Sequence, residues 1–194
     1  EIRLEKIEES LAGGSDARAV GRIMDNDIRK YVFQVQSLAR LYQYESSGKD
    51  RKIFKAVRES SKGLEDAIGR YDQALSTRRL AVELRAPKKL TRHFQAEATK
   101  ARADFIAFLK TSGWLSKRRA RALSQVRGLL GKADFASPKD DVRLLLSAQK
   151  QVMKHARDKI KDELASLILR DSYDHETLEE GLHEFRRMLR WVVI

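Results

Sequence analysis

The sequence has no cysteine, only two prolines and ten glycines, and few aromatic residues, which make up 7% of its 194 residues. Without cysteine the chain can form neither disulfides nor thiolate metal sites. The low proline and glycine content favours a mainly helical protein over a disordered one. No apolar run approaches the ~20 residues of a membrane-spanning helix, and no signal peptide is visible, so we expect a soluble protein of the cytoplasm.

Acidic residues are scarce relative to basic ones. Forty Lys and Arg stand against 28 Asp and Glu, which gives a net charge of +12. Such an excess predicts a polyanionic partner, and nucleic acid, an anionic membrane surface and polymeric phosphate all satisfy it. Hydrophobic residues make up 42% of the chain, which is enough for the core of one domain or of two small ones.

Apolar residues recur at helical spacing along the chain, and the breaks fall at clusters of glycine, serine and proline. No segment shows the alternating pattern of a strand. The fold class is therefore predicted to be all-α, with long helices in antiparallel bundles. The predicted helices span residues 1–11, 16–44, 50–68, 70–84 (after a bend or stop at Gly69), 88–110, 115–130, 138–169 and 174–194.

The last predicted helix carries a basic strip. His183, Arg186, Arg187 and Arg190 recur at steps of three and four, so they share a face about 100° wide at ~100° per residue. No acidic residue lies on this strip. Guanidinium groups bind phosphate oxygens in bidentate fashion, so the C-terminal strip is a candidate site for multiply charged anions.

A second basic line lies on the helix predicted at 138–169. Lys150, Lys154, Arg157 and Lys161 are spaced by four, three and four residues, which confines them to an arc of roughly 60°. We call it the α7 line, after the seventh of the predicted helices. Because this line flanks the predicted core stripe, we expect it to line a groove between helices and to face the C-terminal strip across it. The predicted stripe consists of Val142, Leu145, Val152, Met153, Ala156, Ile160, Leu164 and Leu167.

The first half of the chain adds two candidate anion ligands, Arg29 and Arg40, on one face of the helix predicted at 16–44. Features of an enzyme are missing from the pattern. The four histidines lack metal-ligand spacing, no nucleophile is paired with a base, and no phosphate-binding loop of the P-loop type occurs. We therefore expect a protein without catalytic activity, metal site or cofactor.

The stretch GLHEFRRMLRWVV resembles the CHAD family, the histidine-containing α-helical domains. His183 matches the family's histidine, and Arg186 and Arg190 match the basic residues one and two turns further on. The helix with the α7 line is similar to the family's basic helix in that place. The first-half counterpart DNDIRKYVFQVQSLARLY is similar more loosely, with Arg29 at the first basic position and Asn26 in place of the histidine.

This resemblance implies a single domain in residues 1–194, built from two related helical halves. Residues 1–112 would form the first bundle, and residues 113–194 would lead into a truncated second half. Since the sequence ends inside a helical pattern, we expect it to be a fragment of a longer chain or to be completed by a homodimer.

The function that the resemblance implies is non-enzymatic binding of inorganic polyphosphate in a basic cavity, with association with cytoplasmic polyphosphate granules. Two alternatives remain open at this point. One is a general nucleic-acid-binding helical protein, and the other is a helical protein–protein scaffold. The nucleic-acid alternative relies on a separate basic cluster, which consists of Lys117, Arg118, Arg119 and Arg121.

Overall fold

Seven helices and no strand make up the part of the chain that the structure, a computed structural model, describes, namely residues 2–12, 15–115, 121–135 and 138–168. The predicted all-α class is therefore confirmed. The helices are α1 Ile2–Leu11, α2 Asp16–Asp25, α3 Ile28–Glu45, α4 Gly48–Glu83, α5 Lys88–Thr111, α6 Arg121–Leu130 and α7 Pro138–Ile168.

The longest of the described helices, α4, is the axis on which α3, α5 and α6 pack. Its 36 residues extend for about 54 Å at 1.5 Å per residue. α3, with 18 residues, runs antiparallel along about half of it, where the ring of Tyr42 stacks on that of Phe54 with centroids 5.0 Å apart. α5 runs antiparallel along another side, where Phe105 stacks on Tyr71 with centroids 5.7 Å apart. Both helices therefore bury the apolar positions that recur along α4.

One hydrophobic core joins six of the helices and the segment before α6. Leu4 and Ile7 of α1 belong to the same cluster as Leu123 and Val126 of α6, and Trp114 between α5 and α6 is also part of it. The core is therefore continuous across residue 112, the position at which the two predicted halves meet.

The last described helix, α7, packs on the C-terminal half of α3. Ala148 and Val152 are 0% and 4% exposed, and they form a small cluster with Leu41 and Leu145. This second cluster is separate from the main core. Among the described residues, α7 thus contacts α3 through a narrow apolar strip on one of its sides and through a hydrogen bond from Gln151 to Glu45.

The prediction of a single helix at 16–44 is wrong, because the chain forms two helices there. α2 ends at Asp25, and Asp27 has φ 48° and ψ 44°, a left-handed conformation that aspartate tolerates better than most residues. The Asn26 side chain donates a hydrogen bond to Ser10 Oγ over 3.0 Å and ties the break to α1. Apolar spacing did not reveal the break, since Ile23 and Ile28 on its two sides are equally buried.

Of the two alternatives predicted at Gly69, a bend or a stop, the stop is wrong, since α4 continues through this residue. Glycine disfavours a helix interior by about 1 kcal/mol relative to alanine. The neighbours Ile68 and Tyr71 are buried in the core, and their packing holds the helix together. A Cβ atom at position 69 would lie only 2.9 Å from Nη2 of Arg29, so glycine leaves room for that side chain.

Candidate functional site

The α7 line lies on the side of its helix that faces away from α3. At about 100° per residue, it is centred roughly 180° from the buried strip of Ala148 and Val152. Its side chains are exposed along about 16 Å of helix. The line therefore faces solvent. The sequence pattern predicted instead that it would flank the core and line a groove between helices. Its members are Lys150, Lys154, Arg157 and Lys161.

The cause of this difference is a predicted core stripe that is too wide. Val142 and Met153 are 58% and 52% exposed, although both were predicted to be buried. Only the part of the stripe that meets α3, the helix's main packing partner within the described ranges, is removed from water. The side chains of four further predicted core residues lie outside the described part, namely Ala156, Ile160, Leu164 and Leu167.

The charges of the α7 line are largely available to a ligand. Arg157 Nε lies 3.6 Å from Asp158 Oδ1, and both side chains are at least half exposed. Such a solvated pair contributes little to stability and yields readily to a competing anion. Within the described residues, Lys150, Lys154 and Lys161 form no ion pair. The line thus presents a continuous strip of positive charge to water.

Arg29 is held by carboxylates of α4. Its Nε and Nη2 donate hydrogen bonds to Glu65 Oε1 over 3.2 and 3.1 Å, and Nη1 lies 3.7 Å from Asp72 Oδ2. The side chain is 39% exposed. A polyanion can reach this guanidinium, but it must compete with two carboxylates that already neutralise it.

Arg40 lies about three turns further along α3 than Arg29, close to the strip that α7 covers. Its guanidinium lies over the ring of Tyr44, with Cζ 5.9 Å from the centroid, in a cation–π contact. The next residue, Leu41, packs directly against α7. Arg40 and Arg29 therefore share a helix, as predicted, but each already has an established local contact.

The remaining candidate residues lie outside the described part of the chain. This holds for the whole C-terminal strip and for most of the basic cluster before α6, whose last member, Arg121, is the exposed first residue of α6. The predicted juxtaposition of the C-terminal strip and the α7 line consequently stays a prediction. The strip consists of His183, Arg186, Arg187 and Arg190, and the cluster residues concerned are Lys117, Arg118 and Arg119.

A further basic line lies on α4 and was not predicted from the sequence. Arg51, Lys55, Arg58 and Lys62 repeat the four-three-four spacing of the α7 line. The acidic residues of α4 neutralise part of it, because Lys55 lies 3.8 Å from Glu59, and Lys62 lies 2.7 Å from an aspartate one turn on. The spacing alone could have revealed this line, but its interleaved carboxylates make it the weaker anion site.

Other kinds of site find little support in the described residues. No group of three or more His, Cys, Asp or Glu side chains is placed there to hold a metal ion. None of the described helices is both long and apolar enough to span a bilayer. A surface groove between α4 and α6 is lined mostly by apolar and small residues, and Lys132 is the charged residue in its lining.

Comparisons with known proteins give no further identification. A scan of protein-family models, a search of curated proteins and a search of solved structures each returned no match to this chain. The fold and the surface together define a strongly basic all-α protein that presents lines of cationic side chains to solvent.

Proposed function

We propose that this protein is a non-enzymatic polyanion-binding protein whose ligand is inorganic polyphosphate. The observation that supports this most is the solvent-facing α7 line. It combines three amines and one guanidinium on one strip, and among the described residues Asp158 is the one acidic side chain that contacts any of them. Lysines supply mobile point charges and the arginine supplies bidentate hydrogen bonds to phosphate oxygens.

The make-up of the line favours a ligand that consists of phosphates alone. Proteins that bind single-stranded nucleic acid combine a basic groove with aromatic side chains on which the bases stack. The α7 line includes no aromatic residue, and positions 142–161 contain no phenylalanine, tyrosine or tryptophan, with His155 as their one ring that could stack on a base. Polyphosphate carries charge and no bases, so it needs only the cations. General nucleic-acid binding is accordingly the alternative that the experiment must exclude.

The C-terminal strip is proposed as a second contact for the same ligand. His183, Arg186 and Arg190 carry the resemblance to the CHAD family, and Arg187 lies on the same predicted face. The resemblance, and not any measured distance, supports this part of the proposal. Arg29 and Arg40 are proposed as minor contributors, since Arg29 must first exchange its carboxylate partners.

The test is calorimetric titration of the full chain with long-chain polyphosphate at physiological salt. Replacing all four residues of the α7 line by glutamine is expected to weaken binding by about tenfold or more, because counterion release at this strip is lost. A control removes the same charge from four exposed residues elsewhere and is expected to change affinity by less than about threefold. The control substitutions are Arg18→Gln, Lys30→Gln, Lys100→Gln and Arg102→Gln.

Competitors separate the proposed ligand from the alternatives. Single-stranded RNA and duplex DNA of equal total charge should displace polyphosphate poorly if the proposal is right. Equal displacement would identify a general nucleic-acid binder instead. Lack of polyphosphate binding, with folding intact by circular dichroism, would leave the protein–protein scaffold. A separate variant, Arg186→Gln with Arg190→Gln, tests the C-terminal strip without disturbing the α7 line.

A further inference from the structure

The end of the α4/α5 hairpin, residues 76–97, extends beyond the core. α3 begins beside Asp72 of α4, and the last turns of α4 run on past it. Of residues 76–97, all of which the structure describes, Ala81 is the one that is buried. The two helices of the hairpin end therefore bury little apolar surface there.

Several large apolar side chains at this end are left in water. Leu80, Val82 and Leu84 are 52%, 55% and 72% exposed, and Leu90 at the start of α5 is 43% exposed. They lie within eleven positions of one another around a single turn. Leu80 and Leu84 lie one turn apart on the same face of α4, whereas Val82 lies about 200° around the helix from Leu80. Single exposed leucines are ordinary, but here three leucines and a valine at one projecting end are all left unburied by the fold.

The same end is strongly basic. Positions 78–92 contain six basic residues and one acidic residue, Glu83. Within the described part of the chain, these basic side chains form no ion pair. Their charge is therefore not neutralised by ion pairs with other described residues. The six residues are Arg78, Arg79, Arg85, Lys88, Lys89 and Arg92.

The turn that joins the two helices has a defined geometry. Arg85 adopts φ 51°, its N–H donates to Val82 O over 3.0 Å, and the Ala86 N–H donates to Ala81 O over 2.9 Å. These two bonds are those of a Schellman motif, with arginine at the position where glycine is usual. α5 then starts directly after Pro87. Leu84 is thus held at the apex of the hairpin end.

We propose that the hairpin end docks on the surface of an anionic lipid bilayer. The exposed leucines and valine would enter the boundary between headgroups and acyl chains, and the surrounding arginines and lysines would contact anionic headgroups. Both requirements, an apolar medium and a dense negative surface, are met together by such a membrane. This is peripheral binding and involves no spanning helix.

Other occupants fit the hairpin end less well. A second copy would bring two sets of six basic residues together, and their repulsion opposes self-association. The end is a projecting helical turn, whereas sites for small molecules and peptide helices are concave pockets or grooves. An acidic protein would have to supply a matching pocket, while a bilayer deforms around the inserted side chains.

The lack of native cysteine permits a site-specific test on the full chain. Leu84→Cys is labelled with an environment-sensitive fluorophore and mixed with vesicles of phosphatidylcholine containing roughly 30% phosphatidylserine. We expect a blue shift that is absent with pure phosphatidylcholine vesicles. The control label at Leu146→Cys, on α7, should not respond, because that side chain is exposed but lies outside the hairpin end. A response to polyglutamate without a response to anionic vesicles would overturn the proposal in favour of an acidic protein partner.

Sedimentation with the same vesicles tests the apolar contribution. Replacing Leu80, Leu84 and Leu90 by glutamine is expected to lower the partition coefficient by about tenfold or more. The matched control, glutamine at Val142, Leu146 and Met153, removes equally exposed apolar residues of α7 and should leave it unchanged within about twofold. Equal losses in both variants, or no loss in the first, would overturn the proposal. Polyphosphate binding is expected to survive in the leucine variant, so this test does not depend on the proposed function.

Discussion

Replacing Gly69 by alanine tests how firmly α4 holds the side chain of Arg29. Within a helix, alanine is favoured over glycine by about 1 kcal/mol. A Cβ at this position would lie 2.9 Å from Nη2 and 3.1 Å from Cζ of Arg29. The guanidinium must therefore move, and its hydrogen bonds to Glu65, now 3.2 and 3.1 Å long, are disrupted.

The gain and the loss are expected to be similar in size. The Arg29 side chain is 39% exposed and that of Glu65 is 14% exposed, so water screens the pair from one side. Such a pair contributes roughly 0.5–1.5 kcal/mol. Gly69→Ala should therefore change the free energy of unfolding by less than about 0.5 kcal/mol. In an Arg29→Met background no pair is lost, and the same substitution should stabilise the protein by about 1 kcal/mol.

Urea denaturation of the four proteins in this double-mutant cycle, followed by far-UV circular dichroism, gives the coupling energy between positions 69 and 29. We expect a coupling of about 1 kcal/mol. Gly63→Ala in the same helix is the control, since its Cβ would lie at an ordinary 3.7 Å from Phe108 and should stabilise in both backgrounds. If Gly69→Ala stabilised the protein by the full amount of about 1 kcal/mol with the native Arg29 in place, the close packing between these two residues would be refuted. Arg29 would then be available to bind anions.

Three further outcomes follow from the structure. Arg85→Gly should stabilise the protein by about 1 kcal/mol in urea denaturation, because glycine adopts the left-handed conformation without strain. Leu109→Ala should cost about 2–5 kcal/mol, since this side chain is 0% exposed, whereas Leu146→Ala, at 53% exposure, should stay within about 0.5 kcal/mol. The logarithm of polyphosphate affinity should fall linearly with the logarithm of salt concentration, and the glutamine variant of the α7 line should show a shallower slope in the same titrations.

The helices and most of the breaks between them were predictable from apolar spacing and from clusters of glycine, serine and proline, whereas the break at Asp27 and the continuity at Gly69 were not. The spacing is regular on both sides of Asp27, so the break before α3 depends on a backbone conformation that leaves no mark on the pattern. At Gly69 the opposite error arises, because a residue of low helix propensity is retained where a side chain from α3 occupies the space of a Cβ. In both places the deciding contact comes from another part of the chain.

The α7 line was found from its spacing, but its orientation was not. Periodicity defines a face of a helix without showing which part of that face meets a partner. Val142 and Leu145 belong to one predicted stripe, yet Leu145 packs near Leu41 while Val142 remains exposed. The direction of the basic line is therefore a consequence of where α7 docks on α3.

The difference in length between α4 and its partners explains why the proposed lipid-binding end exists at all. At 1.5 Å per residue, α4 extends for about 54 Å, whereas α3 covers about 27 Å of it. In the part of the chain that the structure describes, the last turns of α4 consequently have α5 as a partner but no third helix to bury Leu80 and Leu84. For stability alone, a shorter hairpin or polar residues at these positions would avoid an exposed apolar patch. The combination of extra length, exposed leucines and unneutralised charge is therefore better explained by contact with a partner than by the requirements of the fold.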